Sequence, residues 1–226
     1  MNIKHIKMKR IKQTLFALTV LTVTISGCSS DESSEKEADI KVNEIQNCVY
    51  TYVPGKSDLR FTAYKFLNKT GVGGTFSSYQ VDGDLTGAVP KDIIESMSFS
   101  IPTSTVETNN LDRNKKIDSL FFGNLENTAL LTGKVVQLNE ENGMATLEIT
   151  MNDITNDVEG EYTLVDNKFN FSADIDVNQW NAQKGLSALN EACYDLHTDV
   201  ANGDTVSKLW PDVSLEFETI LEKKCD

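Results

Sequence analysis

The stretch Phe169-Asn170-Phe171-Ser172-Ala173-Asp174-Ile175-Asp176-Val177 alternates without a break, with apolar residues at the odd positions and polar ones between them. A period of two sends one set to a buried face and the other to water, so this is a half-buried β-strand. Three more stretches read the same way. They are Met97, Phe99 and Ile101 between serines; Leu147, Ile149 and Met151 between Thr and Glu; and Val213, Leu215 and Phe217 between Asp, Ser and Glu. One wet side and one dry side is the signature of antiparallel sheet. Turn residues lie between the runs. Asn142-Gly143 separates Lys134–Glu140 from Met144–Met151, and Asp166-Asn167 separates Glu161–Val165 from Lys168–Val177, each predicting a hairpin. With loops this short, the count is about eight strands, and the fold class is an all-β barrel or sandwich.

Two helices interrupt the strands. A short one, rich in Lys, Arg and Asp, is predicted over about Leu111 to Leu120. A longer amphipathic one is predicted over about Asn181 to Thr198, where Leu186, Leu189, Cys193 and Leu196 recur at spacings of three and four, with Asn178 or Asn181 as its cap. In a β protein such a helix packs on the sheet or plugs a barrel end. Gly71-Val72-Gly73-Gly74 lacks the Lys-Ser/Thr of a phosphate loop and is expected to form a bulge or strand bend. Asp174, Asp176 and Asn178 mimic the start of a calcium loop, but Gln179 and Gly185 stand where Gly and Glu are required.

The N-terminus is of a different character. Lys4, Lys7, Lys9, Arg10 and Lys12 precede the apolar run Leu15–Ile25, which is too short for a membrane-spanning helix. The run ends in Ile25-Ser26-Gly27-Cys28, which resembles the lipobox of bacterial lipoproteins. That resemblance implies an export signal over residues 1–27, removed to leave a lipid-carrying Cys28. Residues 28–44, dominated by Ser, Asp, Glu and Lys, are expected to be a flexible acidic tether. Asp31 and Glu32 resemble a surface-export signal of some lipoproteins. The expected location is the bacterial cell envelope, with the protein lipid-anchored to a membrane, the outer one, and facing the periplasm or the surface. Residues 45–226 suit one domain with a core of its own.

The chain holds 21 basic and 34 acidic residues. Removing the five basic residues of the leader leaves a formal charge of −18, which argues against nucleic acid as a partner. Beyond the leader there is one histidine, His197, and no C-x-x-C pair, so neither metal binding nor a catalytic site is expected. His197 falls at the predicted helix end, where a cation would meet the negative pole of the dipole. No G-x-S-x-G elbow is present to make a nucleophile of a serine beside it.

The order of several segments is familiar. Leu59-Arg60-Phe61-Thr62-Ala63-Tyr64-Lys65-Phe66 leads to Gly71–Phe76, then Ile101–Thr108, Asp112–Lys116, Leu120–Gly123, Thr132–Val135 and Met151–Thr155. Together they resemble the YceI-like family over about Tyr52 to Leu221. Ser187–His197 and Val206–Pro211 resemble a lipoprotein subgroup of it. The family resemblance implies an eight-stranded, antiparallel, lipocalin-like barrel around an apolar tunnel. Its partner would be a polyisoprenoid or quinone-like lipid, with no other cofactor. A barrel of eight strands is wide enough for one slender ligand, or can be filled by its own side chains. The candidate lining residues are Phe61, Tyr64, Phe76, Phe99, Phe121, Phe122, Phe169 and Phe171.

Cys48 begins the first strand and Cys225 ends the last, and these strands are neighbours in an up-and-down barrel. A Cys48–Cys225 disulfide is expected, leaving Cys193 as a buried thiol; Cys48–Cys193 is the alternative. The functional expectation is a non-catalytic carrier, store or sensor of an apolar lipid. The alternative is an envelope interaction protein with a filled barrel.

Overall fold

The computed structural model describes residues 47–226. The expected signal sequence, Cys28 and the acidic tether lie outside them. In chain order the elements are β1 (Cys48–Thr51), β2 (Ser57–Lys65), β3 (Thr70–Phe76), β4 (Gln80–Asp82), β5 (Thr86–Gly87), α1 (Pro90–Glu95), β6 (Ser98–Pro102) and β7 (Val106–Glu107). They continue with α2 (Leu111–Lys116), β8 (Leu130–Asn139), β9 (Met144–Met151), β10 (Ile154–Val165), β11 (Lys168–Asp176), α3 (Gln183–Ala192), β12 (Leu209–Ile220) and β13 (Glu222–Cys225).

Ten of these strands form one curled antiparallel sheet in the order β4-β6-β8-β9-β10-β11-β12-β2-β3-β7, and β13-β1-β5 form a second, small sheet. The expected number of eight is therefore corrected, and the reason is visible in the chain. β4 continues β3 after residues 77–79, and β7 continues β6 after a 3-10 turn at Thr103–Thr105. Each bent stave thus contributes two strands. Thr75 pairs with Glu107 and Phe76 with Val106 on one side of the bend, and Gln80 with Ser100 and Val81 with Phe99 on the other. The curl thereby brings both ends of the sheet onto the same two chain segments.

The predicted hairpins are present. β8 and β9 join through Glu140–Gly143, where Gly143 takes φ 69°, and β10 and β11 join through Asp166-Asn167. A third, at Asn152-Asp153, has both residues left-handed (φ 52° and 57°), the conformation a two-residue turn needs between strands of right-handed twist. The Gly71–Gly74 segment is neither bulge nor bend. It is regular strand, in unbroken register from Phe61↔Gly74 to Lys65↔Thr70.

The first predicted helix is present over its whole expected range, while the second is shorter than expected. α2 is capped by the Asn110 side chain, which accepts from Arg113 N–H, and runs on into one π-helical turn at Ile117–Phe121. α3 stops at Ala192, and residues 194–197 form a separate 3-10 turn. Neither Asn178 nor Asn181 caps it; Asn181 sits at φ 54° and ends the preceding turn instead. Because the chain has left the helix, Leu196 is exposed, while Cys193 remains buried.

The small sheet and α1 close one end of the barrel. There Tyr52, Ile93, Ile94 and Leu221 are all buried, and Glu95 accepts from Leu138 N–H at 2.9 Å. α3 and the Ile117–Asn124 turns pack together over the other end, where Gly185 lies against the Phe121 carbonyl. Cys48 and Cys225, cross-strand partners in the small sheet, are joined by a disulfide. The first and last described strands thus pair in the small sheet over the barrel end. Its staves are closed by β12 on β2.

Candidate functional site

Inside the curled sheet lies an apolar cavity of about 160 Å³. Its position follows from alternation. On β2 Leu59 and Phe61 face inward, on β12 Leu215 and Phe217, on β11 Phe169, Phe171 and Ile175, and on β9 Leu147, Ile149 and Met151. Arg60 and Glu216 border the same space, but their strands turn the side chains outward, and Arg60 pairs with Asp58 in solvent. The wall therefore presents carbon to whatever occupies it, which favours hydrocarbon by about 0.8 kcal/mol for each CH₂ buried.

Of the candidate lining residues, Phe61, Phe76, Phe99, Phe169 and Phe171 meet around this cavity. Phe61 stacks obliquely on Phe76 at 5.7 Å, and Phe169 on Phe217 at 6.4 Å. Tyr64 does not reach it. Three residues after Phe61, it falls on the outer face of β2, where its hydroxyl meets Ser214 Oγ at 2.7 Å and Ser214 in turn bonds Asp174. Phe121 and Phe122 belong to the helical cap. They contact each other edge-on at 5.0 Å, and the buried Phe122 packs on Phe76.

Sequence reasoning that kept to aromatic residues of the strands missed Tyr79, Met97, Met151 and Trp180. Trp180 is fully buried, lines the cavity and donates its indole N–H to Ile149 O at 2.9 Å. Met97 and Met151 were already legible in the alternating runs. Trp210 stays outside the cavity, donating to Phe66 O beneath Lys69 and Lys208.

Two further features differ in chemistry. A groove of about 270 Å³ crosses the outer face of β10, β11, β12 and β2 among Asp58, Arg60, Glu161, Glu216 and Glu218. It is open, and its lining mixes charged with apolar groups, unlike the wholly apolar interior. His197 is buried beside the α3 end, where its Nδ1 meets Asn190 Oδ1 at 3.0 Å; that oxygen also accepts from Ser207 at 2.8 Å. Burial, with Lys65 and Lys116 nearby, pulls its pKa down to about 4. His197 is therefore neutral, and the expectation of a cation at a helix C-terminus is corrected. The helix has already ended, and the neighbouring charges are positive.

The YceI-like domain model matches residues 50–219. The chain belongs to the YceI-like family. Among solved structures, the chain is similar to a polyisoprenoid binding domain from Saccharophagus degradans implicated in plant cell wall breakdown. Identity is 13%, with 79% of this chain and 99% of that one covered and a TM-score of 0.49. It is also similar to BcnA from Burkholderia cenocepacia, at 14% identity over 76% of this chain and 99% of that one, TM-score 0.47. The Campylobacter jejuni YceI protein follows at 16% identity over 72% and 89%, TM-score 0.44. No curated protein matches.

Proposed function

We propose that this YceI-like chain is a non-catalytic lipid-binding protein. It holds an isoprenoid- or quinone-like chain inside its barrel and is tethered through a lipidated Cys28 to a membrane of the bacterial envelope. The observation that carries the reading is the cavity itself, walled by apolar side chains from most of the staves.

Its volume bears on what enters. About 160 Å³ is close to the engineered apolar cavity of ~150 Å³ that takes up benzene. A ring or a short piece of chain fits as the barrel stands. A longer chain has to move side chains, and Met97 and Met151 on the wall are the unbranched, adaptable kind that repack. The same volume lies below the ~300 Å³ at which ordinary ligand pockets begin, and this favours the second reading, a filled barrel that serves as an interaction module.

The test is native mass spectrometry of the full chain purified in mild detergent from its own cells, with organic extraction of what co-purifies. A polyprenyl or quinone-like molecule near one per chain is the expected result. A clean mass that geranylgeraniol added in excess does not change would reject lipid binding in favour of the filled barrel.

A further inference from the structure

The end of the barrel away from the small sheet carries two loops that hold each other. β2 finishes there at Lys65, opposite Leu209 at the start of β12, and the turn after β2 meets the segment before β12. Lys65 Nζ donates to Leu196 O at 2.8 Å, Phe66 N–H to Lys208 O at 2.9 Å and Leu67 N–H to the Asp204 carboxylate at 3.3 Å. The polar groups of the two loops thus face one another, and apolar side chains are left outside. Leu67, Tyr194, Leu196, Val200 and Val206 are each at least half exposed, Val200 at 74%. They are five of the twelve large apolar side chains exposed among the described residues, although the two loops are a small part of the chain. Scattered singles are ordinary on a protein surface, but such a gathering marks a docking face.

Charge is distributed differently here from the outer staves, where Asp58, Glu161, Glu216 and Glu218 border the groove and Arg60 is paired with Asp58. At the loops, Lys69 and Lys208 lie over the Trp210 ring at 4.7 and 4.3 Å, and Lys65 over Phe66 at 4.3 Å. α2 adds Arg113, Lys115 and Lys116 beside the exposed Leu111. It adjoins the loops: burial and the neighbouring Arg113 lower the pKa of Lys65, and burial, Lys65 and Lys116 that of His197. Three loop carboxylates are engaged. Asp212 pairs with Lys69, Asp199 accepts from the Asn202 side chain, and Asp204 accepts from Leu67 and Asp199 N–H. Asp112, Glu191 and Asp195 are exposed nearby and bring this end near balance, in a chain whose acids greatly exceed its bases.

Apolar side chains on loops, bordered by lysines with Tyr and Trp among them, suit the headgroup layer of a membrane. Carbon enters the acyl boundary, and the ammonium groups meet lipid phosphates. We propose that this end of the barrel docks on the surface of an anionic lipid bilayer, with Leu67, Leu196, Val200 and Val206 entering it. The inference rests on the membrane-tether reading above and adds the face that meets the membrane. The tether holds the chain at the bilayer, and docking sets its orientation. Residues 28 to 47 reach roughly 60 Å when fully extended, longer than a twelve-residue stave at roughly 40 Å. A chain anchored at Cys28 can therefore turn this end to the membrane even though β1 starts at the other.

The test puts a polarity-sensitive fluorophore on Val200→Cys and, as control, on Val165→Cys, exposed on the hairpin whose Asn167 bonds Leu221 beside the small sheet. Cys193 is buried and leaves the label to the new thiol. The full chain, purified from its own cells in mild detergent, is reconstituted with phosphatidylcholine–phosphatidylglycerol vesicles that carry a quencher among the acyl chains. Emission from position 200 is expected to shift to shorter wavelength and be quenched, and that from position 165 to stay as in water. Lys69→Gln together with Lys208→Gln is expected to lower the ratio of docked to undocked protein about fivefold for each lysine, and a signal indifferent to both would overturn an anionic partner. A label at position 200 that stays in water while the protein floats with the vesicles would overturn docking and leave the tether standing. Equal responses at the two positions would overturn it as well. A shift at position 200 that grows with protein concentration without lipid would assign the face to a second copy of the chain. Protein that does not float with the vesicles at all would end the tether reading, and docking with it.

Discussion

Phe61 and Gly74 face each other across the β2–β3 pair, and the Phe61 ring occupies the space into which a Cβ at position 74 would project. Phe99 lies over Gly133 in the same way, and Phe171 over Gly160. Three cavity-facing aromatic rings therefore lean on three glycines of neighbouring strands, which lets the rings flatten against the wall. In Gly74→Ala the ring has to swing away, and overpacking of this kind costs about 1–3 kcal/mol. The expected outcome is a lower urea midpoint for Gly74→Ala. Gly55→Ala, where nothing lies within 4 Å of an added Cβ, is expected to stay within about 0.5 kcal/mol of wild type.

These glycines also mark what could be read from the sequence and what could not. Strict alternation in Phe169–Val177 and Leu147–Met151 predicts both the strands and their inward faces, because a period of two leaves no other solution when one face is buried. Gly74 is opaque, because the reason for a glycine there is the Phe61 ring on another strand, and alternation does not reveal which residues become cross-strand partners. Tyr64 illustrates the same limit. Its type suits a lining residue, but its parity relative to Phe61 puts it outside, and parity alone was sufficient to say so. The bend that splits β3 from β4 carries no sequence mark that separates it from an ordinary loop. Asn181 looked like a cap, yet it ends a turn in the left-handed region, a second use of the same side chain.

His197 sets a pH dependence. Its folded pKa of about 4 lies below the ordinary value of 6.5, so between these values the unfolded chain binds the proton and the folded chain does not. Stability from the neutral, buried imidazole is complete above about pH 6.5 and is lost as the pH falls toward 4. The full shift corresponds to about 3.4 kcal/mol, which solvent screening of the partly exposed ring reduces to roughly 2–3 kcal/mol. Urea midpoints at pH 7 and pH 4.5 are expected to differ more in wild type than in His197→Gln, which keeps a polar group near Asn190 without a titrating one. Equal pH slopes in the two proteins would show that carboxylates alone govern the acid limb.

The Cys48–Cys225 bridge spans 177 positions and ties the two outermost described strands into one small sheet over the barrel end. Closing so long a loop restricts the unfolded chain by about 5 kcal/mol in the chain-entropy model. Paired Cys48→Ser and Cys225→Ser substitutions are expected to lower stability by about 3–5 kcal/mol. The loss falls first at the end that buries Tyr52 and Leu221. Hydrogen exchange should therefore quicken in β1 and β13 before it does in β10 and β11. Cys193, buried and free, is expected to resist alkylation in the native protein and to react once urea unfolds it.

Val135 offers a way to separate a ligand-holding barrel from a filled one. It lines the cavity from β8, directly across from Leu147 on β9. If the cavity that both residues line is empty in the unliganded protein, atoms on its wall lack dispersion partners, and a larger side chain can restore them. Val135→Phe is then expected to hold the stability measured by urea unfolding or raise it by about 1 kcal/mol, while abolishing any co-purifying lipid. A barrel already packed by its own side chains has no room for the ring, and the same substitution would cost about 1–3 kcal/mol. The sign of the stability change, taken together with the ligand signal, therefore decides between the two readings: a gain with loss of ligand supports the lipid-binding barrel, and a loss with no ligand to displace supports the filled one.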